Sequence, residues 1–155
     1  MNAFETQEIG LQGLAPAFDG EDKRCVYLID HTGNAEVFFK YKATRHIDVA
    51  SLMLEVSISK KSKEEAVEEI RKGLVYGMHA GGPVIFHCGE MNLDVNEFLK
   101  GQPFWDPKQL FQPPNKMSQE WFRSKIMKPT DKDSFGNEGS LFAKDNYILF
   151  LSLRK

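Results

Sequence analysis

SKEEAVEEIRKGLVYGMHAGGPVIFHC, residues 62–88, is the stretch that decides the fold. Ser62 stands at the N-cap of a helix and Glu65 follows three residues on, the spacing of a capping box in which each side chain satisfies the other residue's backbone N–H. Ala66, Ile70, Leu74 and Met78 then recur at helical spacing, with Val67 and Val75 beside them, so one stripe of the helix is apolar. Glu64, Glu65, Glu68 and Glu69 load the first two turns, where the helix dipole favours negative charge. Ala80-Gly81-Gly82-Pro83 ends the helix with glycine for the C-cap and a proline that cannot continue it. Val84-Ile-Phe-His-Cys88 follows at once, a compact apolar strand closed by Gly89. A helix leading into a strand that is apolar throughout is the repeating unit of a buried parallel sheet.

The flanking sequence extends this unit in both directions. Cys25-Val-Tyr-Leu-Ile29 reads as a strand buried on both faces, ending at Asp30 and the turn residues His31-Thr-Gly-Asn34. Ala35 to Lys42 admits two readings. One is a helix capped by Asn34, with Val37, Phe38 and Tyr41 on one face; the other is the second half of a hairpin, and the helix is preferred. Ala50 to Ser57 reads as a second strand. Beyond residue 88, Asp94 to Leu99 suggests a short helix. Periodicity is then lost through residues 101–140, which carry Pro103, Pro107, Pro113, Pro114, Pro129, Gly136 and Gly139 and one helix from Ser118 to Met127. Asn146-Tyr-Ile-Leu-Phe-Leu-Ser-Leu153 is a final buried strand. Alternation of this kind predicts an α/β fold with a mostly parallel sheet covered by helices on both faces. The expected organisation is an N-terminal arm (1–22), which Ile9, Leu11, Leu14 and Phe18 pin to the domain or a partner, then one α/β domain (23–155) with an irregular excursion (101–144).

Composition narrows the classes. At 155 residues, 41% apolar and 27% charged, the chain is ordinary for one globular domain. Its net charge of −2 gives no polycationic surface for nucleic acid, and Lys60-Lys61-Ser62-Lys63 reads as a solvated helix entrance. No apolar run approaches the roughly 20 residues of a membrane span, and the first 20 residues lack the pattern of a signal peptide. Two cysteines, both in apolar runs, and no Asn-x-Ser/Thr acceptor point to a reducing compartment, so a cytoplasmic location is expected.

Asp30-His-Thr-Gly-Asn-Ala35, set directly after an apolar strand, resembles the first strand and turn of the degenerate AAA modules of dynein heavy chains, where leucine-isoleucine-aspartate-proline-glutamine-x-x-alanine replaces a P-loop. Residues 65–99 are similar to the family's helix, glycine, proline-valine-leucine strand, glycine-glutamate and leucine-aspartate, matched here by Pro83-Val-Ile-Phe, Gly89-Glu90 and Leu93-Asp94. Tyr147 to Leu153 falls where the family has its sensor strand. The resemblance covers roughly 24–100 and 145–153; residues 101–144 have no counterpart in it, and no helical lid follows the last strand. It implies a reduced, degenerate, three-layer P-loop-type core and raises a cytoskeletal or ciliary association.

The chemistry of the obvious enzymatic readings is incomplete. A P-loop needs a glycine-rich backbone, a lysine and a Ser/Thr for magnesium, and no such motif occurs. Asp30 at the expected place repels phosphate, and the strand that should end in a magnesium-binding aspartate ends in His87-Cys88. The sequence Val84-Ile-Phe-His87-Cys88 resembles the entry to a cysteine-phosphatase loop, yet the position of its phosphate-binding arginine is Asp94. His79, His87, Cys88 and Glu90 are close in sequence but lack metal-ligand spacing, and His87 and Cys88, as strand neighbours, point to opposite faces.

No catalytic residue, metal site or cofactor is therefore assigned, and the expected function is a non-catalytic protein-interaction or scaffold domain. Phe104, Trp105, Phe111, Trp121 and Phe122 either fasten the excursion to the core or form an anchor patch for a protein partner. In the second case the arm and excursion carry the partner contacts and are separable from the core. One alternative is a nucleotide-binding, non-hydrolysing domain whose Gly33 and Asn34 offer backbone N–H groups to an anion. Another is a cysteine-dependent hydrolase centred on Cys88.

Overall fold

The chain runs β1 (Cys25–Asp30), α1 (Asn34–Lys42), β2 (Arg45–Asp48), α2 (Val49–Ser57), α3 (Lys63–Ala80) and β3 (Pro83–Glu90). Three short helices follow, α4 (Val95–Phe98), α5 (Pro107–Leu110) and α6 (Gln119–Trp121), then a π-helical turn (Phe122–Ile126) and β4 (Ile148–Arg154). This is a computed structural model, and it describes residues 25–42, 45–90, 94–110, 119–144 and 147–154. The expected arm (1–22) lies outside the described residues.

The fold is α/β. The four strands form one parallel sheet in the order β1-β4-β3-β2. Parallel neighbours need a crossover for every connection, which is why a helix or the long excursion separates each strand from the next. β4, the last strand in sequence, is inserted between β1 and β3, with Leu28 beside Ser152 and Ser152 beside His87.

Strand alternation sorts the β3 side chains onto two faces. Val84, Phe86 and Cys88 join Ile47 of β2, Leu149 of β4, Val49 and Leu52 of α2 and the Ala66, Ile70, Leu74 and Met78 stripe of α3 in one core. α3 lies close against this face because Gly73 and Gly77 have no side chain. A Cβ on Gly77 would stand 2.8 Å from Val84 Cγ2, and one on Gly73 would stand 2.7 Å from Ile47 Cδ1. Ile85 and His87 are buried on the opposite side, where α1 contributes its buried Ala35 and Phe39.

α3 forms as the sequence predicts. Ser62 Oγ accepts the N–H of Glu65 at 3.2 Å, the Glu65 carboxylate accepts the N–H of Ser62 at 3.1 Å, and the N–H of Gly81 closes the far end on Gly77 O at 3.1 Å. The helical alternative also holds for residues 34–42, but with a different inner stripe. Ala35 and Phe39 face inward, while Val37 and Tyr41 are exposed.

Ala50 to Ser57 is the correction: these residues belong to a helix, and the second strand is the preceding Arg45–Asp48. Asp48 starts the helix, its Oδ1 accepting the N–H of Ser51 at 3.0 Å and its Oδ2 the Ser51 hydroxyl at 2.9 Å. Val49, Leu52, Met53 and Val56 are spaced i, i+3, i+4 and i+7, and this stripe packs on the core. α2 ends in a Schellman pair, with Ser59 N–H on Val56 O at 3.1 Å and Lys60 N–H on Glu55 O at 2.9 Å. Ser59 holds the left-handed position, φ 57°, usually taken by glycine. Ser59→Gly is expected to stabilise the protein by about 0.5–1 kcal/mol, read as a higher urea midpoint at unchanged slope.

The excursion is folded into the main core. Phe104, Leu110, Phe122, Ile126, Leu141 and Ala143 are buried there with the α2 and α3 residues. The Gln119 side-chain amide brackets the backbone of Ala143, donating to its O at 2.5 Å and accepting from its N–H at 3.1 Å. Lys144 N–H donates to Met78 O at 2.9 Å, fixing the chain at the end of α3 before β4. The described part of residues 101–144 is thus integral to the core, in contrast to the expected separable surface.

Candidate functional site

In open α/β sheets, ligands gather outside the carboxyl ends of the strands, where successive connections leave for opposite faces. β1 leads to α1 on one face, whereas α2 and α3 pack on the other, so the loop after β1 is the place to look. That loop closes on Asp30. One carboxylate oxygen accepts the N–H and hydroxyl of Thr32 at 2.9 and 3.0 Å, and the other accepts the N–H of Ala35 at 3.0 Å. Gly33 turns the chain at φ 80°, and Asn34 donates its N–H to Thr32 Oγ1 at 3.1 Å. Asn34 is therefore the first residue of α1, and the capping is supplied from upstream by Thr32 and Asp30.

Burial pushes the Asp30 carboxyl up, but hydrogen bonds from Thr32 backbone and side chain and from the backbone of Ala35 and Gly33 outweigh it and hold it below the usual aspartate range. Gly33 and Asn34 do lie at a helix start, as the nucleotide-binding alternative requires. The loop donors, however, are already engaged by an internal carboxylate. Asp30→Ala strands these donors and is expected to cost about 1–2 kcal/mol by urea denaturation. Because the folded carboxyl titrates below the unfolded one, this contribution is complete above about pH 4 and lost as pH falls through the folded value. The Asp30→Ala difference from the parent protein should shrink in acid accordingly.

Beneath α1, β2 and β3 bring two histidines together. The His46 and His87 rings stack with centroids 5.7 Å apart and planes at 29°. His87 Nε2 lies 3.8 Å from Glu36 Oε2, whose other oxygen is 3.2 Å from Lys40 Nζ. His46 Nε2 and His87 Nδ1 are buried without a hydrogen-bond partner. Burial first, then His87, pushes the His46 imidazole below its ordinary range against the opposing pull of Asp48 and Glu36. Sequence motifs drew His87 only towards Cys88 and never towards His46; the two are 41 residues apart in sequence, and the pairing of β2 with β3 joins them.

Cys88 faces the main core, opposite His87, as strand alternation predicts. It is 1% exposed and its thiol is pushed up to about 12 by burial alone, so it is protonated at neutral pH and shielded from substrate. Among the described residues, no three His, Cys, Asp or Glu side chains converge to hold a metal ion.

The five excursion aromatics divide. Phe104 and Phe122 are core residues, 2% and 0% exposed, and offer nothing to a partner. Trp105 and Trp121 are half-buried against the core, with Trp105 Nε1 donating to Asn96 Oδ1 at 3.1 Å. Phe111 lies outside the described residues. Sequence patterning missed the exposure of apolar side chains, chiefly Tyr41 (84%) and Phe135 (87%), with Leu54 on α2 and Ile58 at its C-cap also exposed. Phe135 projects from a turn built on Asp133, whose carboxylate accepts the N–H of Phe135 at 2.9 Å and of Asn137 at 2.8 Å and the hydroxyl of Ser140 at 2.8 Å. The signal was present as Asp133-Ser-Phe-Gly-Asn137, turn residues around one aromatic.

No protein-family model, curated protein or solved structure matches this chain. Among the described residues, no helix is long and apolar enough to cross a membrane.

Proposed function

We propose that the chain is a non-catalytic protein-interaction or scaffold domain built on a degenerate, three-layer P-loop-like core. The observation that carries this reading is the Asp30 carboxylate, which takes for itself the Thr32 and Ala35 N–H groups that a phosphate would need. An incoming anion meets a negative charge and engaged donors. The position of β4 beside β1 supports its reading as the counterpart of a sensor strand, because a strand that senses a nucleotide must lie next to the one carrying the phosphate loop. A cytoskeletal or ciliary setting follows from the resemblance to dynein AAA modules. The buried, protonated Cys88 weighs against the hydrolase alternative.

The interaction role rests on Tyr41 and Phe135, large apolar side chains presented to solvent on a helix and on a hydrogen-bonded turn. Preorganised aromatics of this kind bind with little loss of conformational entropy. Photo-crosslinking side chains placed at positions 41 and 135, with Glu64 on the polar face of α3 as the control, test this role in extracts of the source cells. Discrete adducts at 41 or 135 and none at 64 are expected. No adduct at either position, together with ATP turnover by the purified chain, would overturn the reading.

A further inference from the structure

We infer that His46, His87 and Glu36 form a proton-operated clasp that holds α1 to the sheet and releases it in mild acid. α1 is fastened differently from α2 and α3. Its buried residues are Ala35 and Phe39, and they lie on the face of the sheet away from the main core. Besides the Asp30 bond to Ala35 N–H at its start, α1 approaches that face through Glu36, 3.8 Å from His87.

The charges around the pair come from every packed element. α1 contributes Glu36 and Lys40, whose ammonium already draws on Glu36 Oε1 at 3.2 Å. β2 contributes Asp48, the register partner of His87, whose carboxylate is held by Ser51 and whose charge opposes the lowering of His46. β4 contributes the buried, uncharged Ser152. Two carboxylates thus act on the two imidazoles, and burial with the neighbouring ring still outweighs them at His46. Glu36 meets the pair at His87, where its Oε2 lies 3.8 Å from Nε2 and joins α1 to β3. A proton on His46 is disfavoured by burial and by the His87 ring stacked on it at 5.7 Å. The orphaned His46 Nε2 and His87 Nδ1 add the cost of unpaired buried nitrogens, which water satisfies once α1 lifts.

The sign is fixed by His46. Its folded form prefers to be neutral, so its contribution to the closed state is full above its unfolded value, about 6.5, and is lost as pH falls below that. What opening would expose is the loop from Asp30 to Asn34 and the underside of a helix whose outer face carries Tyr41.

The test is amide hydrogen exchange of the full chain between pH 7.5 and 5.0, corrected for intrinsic rates. Exchange across α1 is expected to rise on the order of tenfold while α3 stays protected. His46→Phe should abolish the rise, and Glu36→Gln, which removes a charge that raises His46, should enlarge it. A flat α1 profile, an equal rise in α1 and α3, or an unchanged rise in His46→Phe would overturn the clasp. Should His46→Phe fail to fold, the ring proton resonances of the parent protein decide. Two coupled steps support the clasp, and two independent single-step titrations refute it.

Discussion

Replacing Arg71 with alanine is expected to lower the unfolding free energy by about 3–5 kcal/mol, because it leaves a carboxylate buried without its partner. Arg71 and Asp131 are each 5% exposed at the side chain and pair through two parallel bonds, Nη1 to Oδ2 at 2.7 Å and Nη2 to Oδ1 at 2.8 Å. Arg71 Nη1 also donates to Ile126 O at 2.9 Å, and Glu68 accepts from Nε and Nη2 at 2.8 and 2.7 Å. One guanidinium on α3 therefore fixes the π-helical turn and the segment after it. Burial pushes the Asp131 carboxyl up, but the Arg71 hydrogen bonds and the N–H of Lys128 outweigh it and hold it below the usual range. The Arg71 bond brings the more exposed Glu68 down to about 2. Both folded values lie below the unfolded ones, so the network stabilises fully above about pH 4–5 and is lost as pH falls towards 2. At neutral pH Arg71→Ala should melt roughly 10 °C lower. Arg71→Lys should lose part of this, since an ammonium cannot reproduce the planar fork. The double change Arg71→Met with Asp131→Leu should recover most of it, because no orphaned charge remains. An Arg71→Ala loss below about 1 kcal/mol would mean that Asp131 finds water instead.

Deleting residues 101–144 is expected to abolish cooperative folding. The segment supplies Phe104, Leu110, Phe122, Ile126, Leu141 and Ala143 to the core shared with α2 and α3. Burying one large apolar side chain contributes about 1.5–3 kcal/mol, so losing five of them together with Asp131 is as large as the roughly 5–15 kcal/mol that holds a domain together. Phe122→Ala alone, at a fully buried position, should cost about 3–5 kcal/mol. A truncated chain that still melted cooperatively would show that the strands and α3 form a self-sufficient core.

These expectations depend on contacts that the sequence reveals unevenly. α3 and β3 were legible because cap, stripe, dipole and stop all lie within residues 62–88 and agree with one another. α2 was misread because Ala50 to Ser57 is apolar enough to suit a buried strand, although Asp48 and the Val49, Leu52, Met53, Val56 spacing carried the helical signal. β2 has four residues, two of them charged and one a histidine, and local pattern does not mark it. The excursion looked separable because its prolines and glycines break periodicity, yet its anchors are long-range. Arg71 reaches Asp131 across 60 positions and Gln119 reaches Ala143 across 24, distances over which no motif operates. The absence of a P-loop was plain in the residues; that Asp30 closes its own loop is a matter of backbone geometry.

The most direct measurement is isothermal titration of the folded chain with ADP and ATP, with and without magnesium, up to high micromolar ligand. The self-closed Asp30 loop predicts no saturable heat under any of these conditions. Saturable binding that Gly33→Val eliminates, in a variant that still folds, would contradict it and restore Gly33 and Asn34 as a nucleotide site.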